Sequence, residues 1–210
     1  MKIEFPKLTM LIAAAAFVFA APLAQAAGDK GELLRDANTT VNHLRTDPAF
    51  AQAARMIAQA RAVYIVPKLV KAGFIFGGEG GDGVILVRNG HRFGEPKFYG
   101  MGSASFGLQA GVEQTQLVFI INSRRALEGI EAGNFKLGAG AGLTVVTLSS
   151  GAEGAVTPRG GDIVVWSSGT GAYGGLTFNG SVIKADDDLN ATPTVGPEAT
   201  ALRHNLDTVW

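Results

Sequence analysis

The sequence predicts an α+β domain in which N-terminal helices pack on a coiled, glycine-rich antiparallel sheet that is able to close into a barrel. Three observations predict it. Apolar residues recur at helical spacing in the front of the chain, and behind Gly73 they form short runs or alternate with other residues. The chain has 29 glycines, almost all of them from Gly73 onward, and small residues let a sheet bend sharply.

Two helices are predicted in the front of the chain. An apolar stripe predicts the first helix over about 30–45, and Asp47 directly before Pro48 is typical of a helix start. The second helix should then run from Pro48 to about Ala62. The helical part, counted up to residue 72, should cover one face or opening of the sheet.

The strands are predicted from short apolar or alternating segments, and the turn dipeptide Asn89-Gly90 predicts a hairpin. The segments are Val84–Val87, Phe98–Gln109, Leu117–Ile121, Leu143–Leu148, Ile163–Trp166 and Tyr173–Lys184. One face of Phe98–Gln109 is mostly glycine and alanine, so we expect a close approach there. Short helices are predicted after Ser123 and near Glu198–Leu206.

The first 26 residues have the order of a cleavable signal peptide. A lysine-containing start precedes the apolar run Met10–Ala21, and Ala24–Ala26 has the small-x-small pattern of a cleavage site. The apolar run is shorter than the ~20 residues of a membrane-spanning helix. We therefore expect export to the periplasm or cell envelope, with residues 27–210 forming one domain that is soluble or peripheral on a membrane.

Composition argues against several classes of function. Without residues 1–26 the chain has 16 basic and 17 acidic residues, whereas nucleic-acid binders are strongly basic, so no nucleic-acid partner is expected. There is no cysteine, and the three histidines are far apart, so no metal site is expected. Neither a Gly-Lys-Ser/Thr phosphate loop nor a Gly-x-Ser-x-Gly nucleophile elbow occurs. We expect no cofactor and no enzymatic activity.

Basic residues are spread through the segment that is predicted to be helical. They are Arg35, Arg45, Arg55, Arg61, Lys68 and Lys71. Helices with a basic face and an apolar face can lie on anionic lipid. Ordinary helices with a solvated outer face, packed on the sheet, are the alternative interpretation of the same pattern.

Several ordered blocks of the sequence resemble the SYLF domain family. The first runs from Val66-Pro67-Lys68 to Phe76-Gly77-Gly78, and the others lie at 83–88, 96–111, 117–122 and 173–183. Together these blocks extend over about residues 45–190. The resemblance indicates a secreted bacterial member of a lipid-binding family whose yeast branch also binds actin.

The resemblance implies binding to a phospholipid or to a membrane surface, without catalysis. Anionic phospholipids are the expected partners, and actin is not, because an exported protein would not meet cytoplasmic actin. The candidate head-group residues are Arg55, Arg61, Lys68, Lys71 and Arg88. The turn at 166–172 lacks the basic residues that family members commonly carry there, and fewer cations weaken phosphate recognition.

Two other classes of function stay open at this point. A structural or protein-interaction module of the periplasm without a lipid ligand is favoured by the near-neutral charge and the missing basic turn. A hydrolase of lipid or glycan has only scattered Ser, Asp and His residues in its favour, and it would need a nucleophile, a base and an oxyanion donor in one cleft.

Overall fold

The structure is a computed structural model that describes residues 30–73, 76–106, 111–137, 144–148, 161–168 and 180–208. Its helices are α1 (Lys30–Thr46), α2 (Phe50–Gln59), α3 (Arg124–Glu131), α4 (Asp187–Asn190) and α5 (Pro197–Asp207). Its strands are β1 (Ala62–Gly73), β2 (Phe76–Asn89), β3 (Arg92–Phe93), β4 (Lys97–Phe106), β5 (Gly111–Ile121), β6 (Asn134–Lys136), β7 (Val145–Leu148), β8 (Ile163–Ser167) and β9 (Val182–Ala185). The predicted signal peptide at 1–26 lies outside the described residues.

The strands form one curled sheet, and the predicted α+β class is confirmed. Its order is β6-β9-β4-β2-β1-β5-β8-β7, with β3 paired to the end of β2. All neighbours are antiparallel except β7 and β8, which run parallel. Across the described strands, β6 and β7 stand at the two ends of this order, so the sheet has the form of a half-barrel.

Each face of the sheet has its own hydrophobic core. Side chains alternate along a strand, so Val63 and Ile65 of β1 face α1, α2 and α5, whereas Tyr64 and Val66 face the other core. The second core is completed by Ala126 and Ile130 of α3 together with residues of β6 and β9. Strand β1 is buried on both sides, which matches its almost continuous apolar sequence.

The prediction that the helical part extends to residue 72 is wrong. Helix α2 ends at Gln59, and β1 occupies Ala62–Gly73 at the centre of the sheet. The run Val63–Val66 is fully buried on two faces, which suits a central strand better than a surface helix. Lys68 and Lys71 consequently lie on a strand and not on a basic helix.

Several local predictions are confirmed with small shifts. Gly90 has a positive φ of 63°, and the turn lies at Gly90-His91, one residue later than predicted. The side chain of Ser123 accepts a hydrogen bond from the Ala126 amide at 3.2 Å, which begins α3. The predicted helix near Glu198–Leu206 is α5.

The expected close approach to glycine occurs on β2 and not on β4. A Cβ atom at Gly83 would lie 2.6 Å from the ring of Tyr64, and one at Gly81 would lie 2.4 Å from the carbonyl oxygen of Lys68. At Gly100 of β4 the nearest atom, a carboxylate oxygen of Asp82, would be 3.7 Å away, an ordinary contact. Packing between neighbouring strands therefore selects glycine on β2.

Helix α1 is held over the sheet by contacts from the C-terminal part of the chain. The amide nitrogen of Asn205 donates to the side-chain oxygens of Asn38 and Asn42 at 2.8 and 2.9 Å. At the start of α1 the Lys30 ammonium donates to the Thr192 hydroxyl at 2.7 Å. These contacts hold α1 in one orientation over the sheet. The side of α1 that faces away from α5 forms one wall of the site described next.

Candidate functional site

A β-bulge in the centre of the sheet positions Lys68. Val66 pairs with Leu117 and Leu69 pairs with Thr115, so Pro67 and Lys68 together oppose the single residue Gln116. Proline has no amide hydrogen and is tolerated in a central strand only where the hydrogen-bond ladder is interrupted. The bulge therefore explains the proline, and it leaves the Lys68 side chain exposed.

Lys68 lines an open cleft of about 460 Å³ between α1 and the sheet. This volume lies within the range of small-ligand sites, about 300–1,000 Å³. The wall formed by α1 contributes Asp36, Thr39 and His43. The residues from the sheet side are Pro67, Lys68, Gln114, Thr115, Gln116 and Ser168.

His43 is held in place at the end of the cleft. Its Nδ1 donates to the side-chain oxygen of Gln116 at 2.6 Å, and its ring meets the buried Trp166 edge to face at 5.9 Å. The backbone of Gln116 is itself fixed, since its amide donates to the Ser168 hydroxyl at 3.0 Å. The indole nitrogen of Trp166 has no hydrogen-bond partner among the described residues.

The cleft contains one acidic and one basic side chain that are not paired. Asp36 and Lys68 are both exposed, and within the described ranges neither side chain forms an ion pair or a hydrogen bond. A surface charge pair that is already formed would first have to be broken by a ligand. These two charges are available to a ligand as they stand.

The other candidate head-group residues do not join Lys68. Arg55 on α2 and Arg61 at the start of β1 are exposed at the opposite end of that strand. Ten strand residues separate Arg61 from Lys71, which corresponds to roughly 30 Å. The structure therefore divides the five candidates into two distant groups.

Lys71 stands in acidic surroundings. Its register partners are Glu79 on β2 and Glu113 on β5, each directly opposite it. Opposite charges on facing strand positions attract one another, and the carboxylate of Glu79 reduces the pull of Lys71 on a phosphate. Lys68 lies in the bulge, and no register partner is defined for it on β2 or β5.

Arg88 forms hydrogen bonds at the C-terminal end of α2. Its guanidinium donates to the carbonyl oxygens of Ile57 at 2.9 Å, Ala60 at 3.0 Å and His91 at 3.2 Å. It also lies over the ring of Phe93 at 4.1 Å. Burial lowers the pKa of Arg88, and the nearby Asp207 partly opposes this effect. The guanidinium donates hydrogen bonds to carbonyl groups at the end of the helix, where the last turn lacks backbone donors of its own.

In the described part of the chain, no group of three or more His, Asp or Glu side chains is arranged to hold a metal ion. None of the described helices combines the length and the apolar character that crossing a bilayer requires.

The fold and the cleft define the class: an α+β domain with α1, α2 and α5 on one face of a curled sheet, α3 on the other, and a polar cleft at a central bulge. A family model described as "Ysc84: Las17-binding protein actin regulator" matches residues 102–193. The chain is similar to the Ysc84/SYLF family over these residues, and the match confirms the family predicted from the sequence blocks.

Curated relatives agree with this assignment. "Protein YSC84" of Saccharomyces cerevisiae is 32% identical over 140 residues, which are 64% of this chain and 30% of the yeast protein. "SH3 domain-containing YSC84-like protein 1" of Bos taurus is 30% identical over 140 residues, 65% of this chain and 41% of the bovine protein. The chain thus spans between about a third and two fifths of these relatives. No solved structure matches the chain.

Sequence reasoning identified Lys68 but missed the residues around it. Asp36, His43 and Gln116 come from α1 and β5, and only the tertiary fold brings them beside Lys68. The local signal that could have pointed to the site is Pro67 within a run of β-branched residues, because proline in a central strand indicates a bulge.

Proposed function

We propose that this protein is a non-catalytic, phospholipid-binding protein of the bacterial cell envelope, and that Lys68 contacts the head group. The observation that carries this proposal is the ammonium of Lys68, which has no partner among the described residues and which the bulge presents in a cleft of ligand size. An ammonium on a flexible stem is a compact, strongly charged partner for a phosphate.

Other features support the proposal less directly. Arg55 and Arg61 are exposed and add a general attraction to an anionic membrane surface, worth about 1 kcal/mol for each basic residue near the surface. Arg88 has a structural role at the end of α2. Export by the predicted signal peptide would place the chain beside envelope membranes. Export would also keep it from cytoplasmic actin, despite the actin regulation named in the family description.

Vesicle co-sedimentation tests this function. The full chain is mixed with phosphatidylglycerol vesicles and, separately, with phosphatidylcholine vesicles. We expect binding to the anionic vesicles, and we expect Lys68→Gln to weaken it. Lys136→Gln is the matched control, because Lys136 is also an exposed strand lysine but lies on the edge strand β6.

The outcomes are distinct. Absence of binding to both kinds of vesicle would overturn the proposal, and a stoichiometric protein partner recovered without lipid would favour the interaction-module alternative. Equal losses in Lys68→Gln and Lys136→Gln would mean that general charge, and not the cleft, determines binding.

A further inference from the structure

We propose that the cleft at Lys68 recognises a dipolar head group made of a phosphate diester and a primary ammonium, as in phosphatidylethanolamine. This inference rests on the proposed phospholipid-binding function and specifies its ligand. It goes beyond general attraction to anionic lipid, which needs only basic residues.

The first argument is the pair of charges. Asp36 on α1 and Lys68 on β1 line the same cleft with opposite signs, and neither side chain is engaged by another described residue. A ligand with a single negative charge would satisfy Lys68 but would meet repulsion from Asp36. A ligand that carries both a phosphate and a cation offers each of the two residues a charge of the opposite sign.

The second argument concerns the type of cation. Quaternary ammonium groups have no N–H to donate and are typically held by aromatic cages. The described cleft is lined by no Phe, Tyr or Trp side chain. It offers acceptors instead, namely the Asp36 carboxylate and the Thr39 hydroxyl, which suit the three N–H donors of a primary ammonium.

The third argument is the supply of neutral donors on the sheet side. Gln114, Ser168 and the Lys68 ammonium can all donate to phosphate oxygens, and Gln116 is held by its bond to His43. A phosphate diester has only one negative charge, so one cation with neutral donors matches it. A phosphate cluster with several charges would need the basic turn that is missing at 166–172.

The test compares head groups at constant lipid content. Phosphatidylcholine vesicles are doped with equal fractions of either phosphatidylethanolamine or phosphatidylglycerol, and binding of the full chain is measured by co-sedimentation. We expect about tenfold tighter binding to the ethanolamine-doped vesicles than to pure phosphatidylcholine, the size expected when one hydrogen bond to a charged group is gained.

Asp36→Asn separates the head-group preference from general binding. We expect this variant to lose the preference for ethanolamine while it binds phosphatidylglycerol vesicles at least as well as the parent, because a negative charge has been removed. Retained binding to phosphatidylglycerol also shows that the variant is folded. Asp187→Asn is the matched control, because Asp187 is an exposed acid on α4 outside the cleft.

Soluble head groups distinguish a membrane from a free ligand. Glycerophosphoethanolamine should displace the chain from ethanolamine-doped vesicles, and glycerophosphocholine should not. If glycerophosphoethanolamine binds but no vesicle does, recognition of a dipolar head group is supported. The same result would overturn the idea that the ligand is a membrane lipid.

Other results contradict the inference. Equal binding to ethanolamine-doped and pure phosphatidylcholine vesicles, or an unchanged preference in Asp36→Asn, would overturn it while leaving the proposed phospholipid-binding function intact. Absence of binding to every vesicle and every soluble head group would overturn both.

Discussion

The guanidinium of Arg88 donates to the carbonyl oxygen of Ile57 at 2.9 Å, which links β2 to the last turn of α2. A second bond to Ala60 and the contact over Phe93 hold the group in this position. A residue that the sequence marked as a possible lipid contact is therefore committed to joining a helix to the sheet.

Replacing Arg88 should destabilise the domain. Arg88→Gln removes hydrogen bonds from a charged donor and a cation–π contact, so we expect a loss of about 2–3 kcal/mol in the free energy of unfolding. Urea denaturation measures it. Arg55→Gln is the control, since Arg55 is exposed on α2 and should change stability by no more than about 0.5 kcal/mol. A stable Arg88→Gln variant that fails to bind vesicles would contradict this assignment.

Two adjacent glycines of β2 should respond differently to alanine. A Cβ at Gly81 would lie 2.4 Å from the Lys68 carbonyl oxygen, whereas a Cβ at Gly80 would lie 3.6 Å from the nearest atom. We expect Gly81→Ala to destabilise the protein by about 1–3 kcal/mol, because the backbone at Lys68 would have to move. Gly80→Ala should be neutral or stabilising by up to about 1 kcal/mol, since neither glycine has a positive φ.

The same pair of variants also tests the link between the sheet and the cleft. The contact at Gly81 involves the bulge, so Gly81→Ala should weaken vesicle binding more than Gly80→Ala does, under conditions where both are folded. Thermal unfolding and co-sedimentation report the two effects separately. Equal stability of the two variants would show that the bulge yields easily to a methyl group.

Asp82 should lower stability at neutral pH. Burial raises its pKa first, and the neighbouring Asp186 raises it further. A carboxyl group with a raised pKa in the folded state favours folding only while it is protonated. Its cost therefore develops as the pH rises from about 3.9, the value in an unfolded chain, through the folded pKa.

Asp82→Asn should consequently stabilise the domain at pH 7, and the gain should disappear as the pH falls below about 4. Urea denaturation across this pH range measures the effect. Asp187→Asn, on the exposed surface of α4, should show no comparable pH-dependent gain. A gain that persists unchanged at low pH would exclude protonation of Asp82 as the cause.

Asn205 should hold the two long helices together. Its amide nitrogen donates to Asn38 and Asn42, and its backbone oxygen accepts from Arg45 at 2.9 Å. Asn205→Ala removes the two side-chain bonds and should cost about 1–3 kcal/mol. His204→Ala, at an exposed position of α5, is the control and should leave the unfolding midpoint almost unchanged.

The sequence predicted the parts of the fold that local patterns determine. The apolar stripe of α1, the capping Ser123 and the turn glycine Gly90 each act through neighbours in the chain. The first two appear as predicted, and the turn lies one residue later than predicted. The β-branched run Val63–Val66 and Pro67 indicate where the second helix ends, but the prediction that counts residues up to 72 with the helical part is wrong. Proline is disfavoured in the interior of a helix and also in the interior of a regular strand. Only the pairing of β1 with β2 and β5 shows that Pro67 lies in a bulge.

The candidate site could be predicted only in part. Lys68 belongs to a recognisable sequence block, but its partners Asp36 and Gln116 lie 32 residues before it and 48 residues after it. Their meeting depends on how α1 crosses the sheet, which long-range contacts such as Asn205 with Asn38 determine. Arg88 is a candidate because it is a basic residue within one of the family-like blocks, and its hydrogen bonds to helix carbonyls cannot be read from local spacing.

The extra residue at Pro67-Lys68 divides β1 into two halves of opposite phase. Val66 and Leu69 both face the second core although one number is even and the other odd. Removing a single residue here would carry Leu69 from one core to the opposite face, and it would erase the cleft without altering the chemistry of Asp36 or His43. Chain length at this point, as much as side-chain identity, therefore decides whether a related sequence can have the same site.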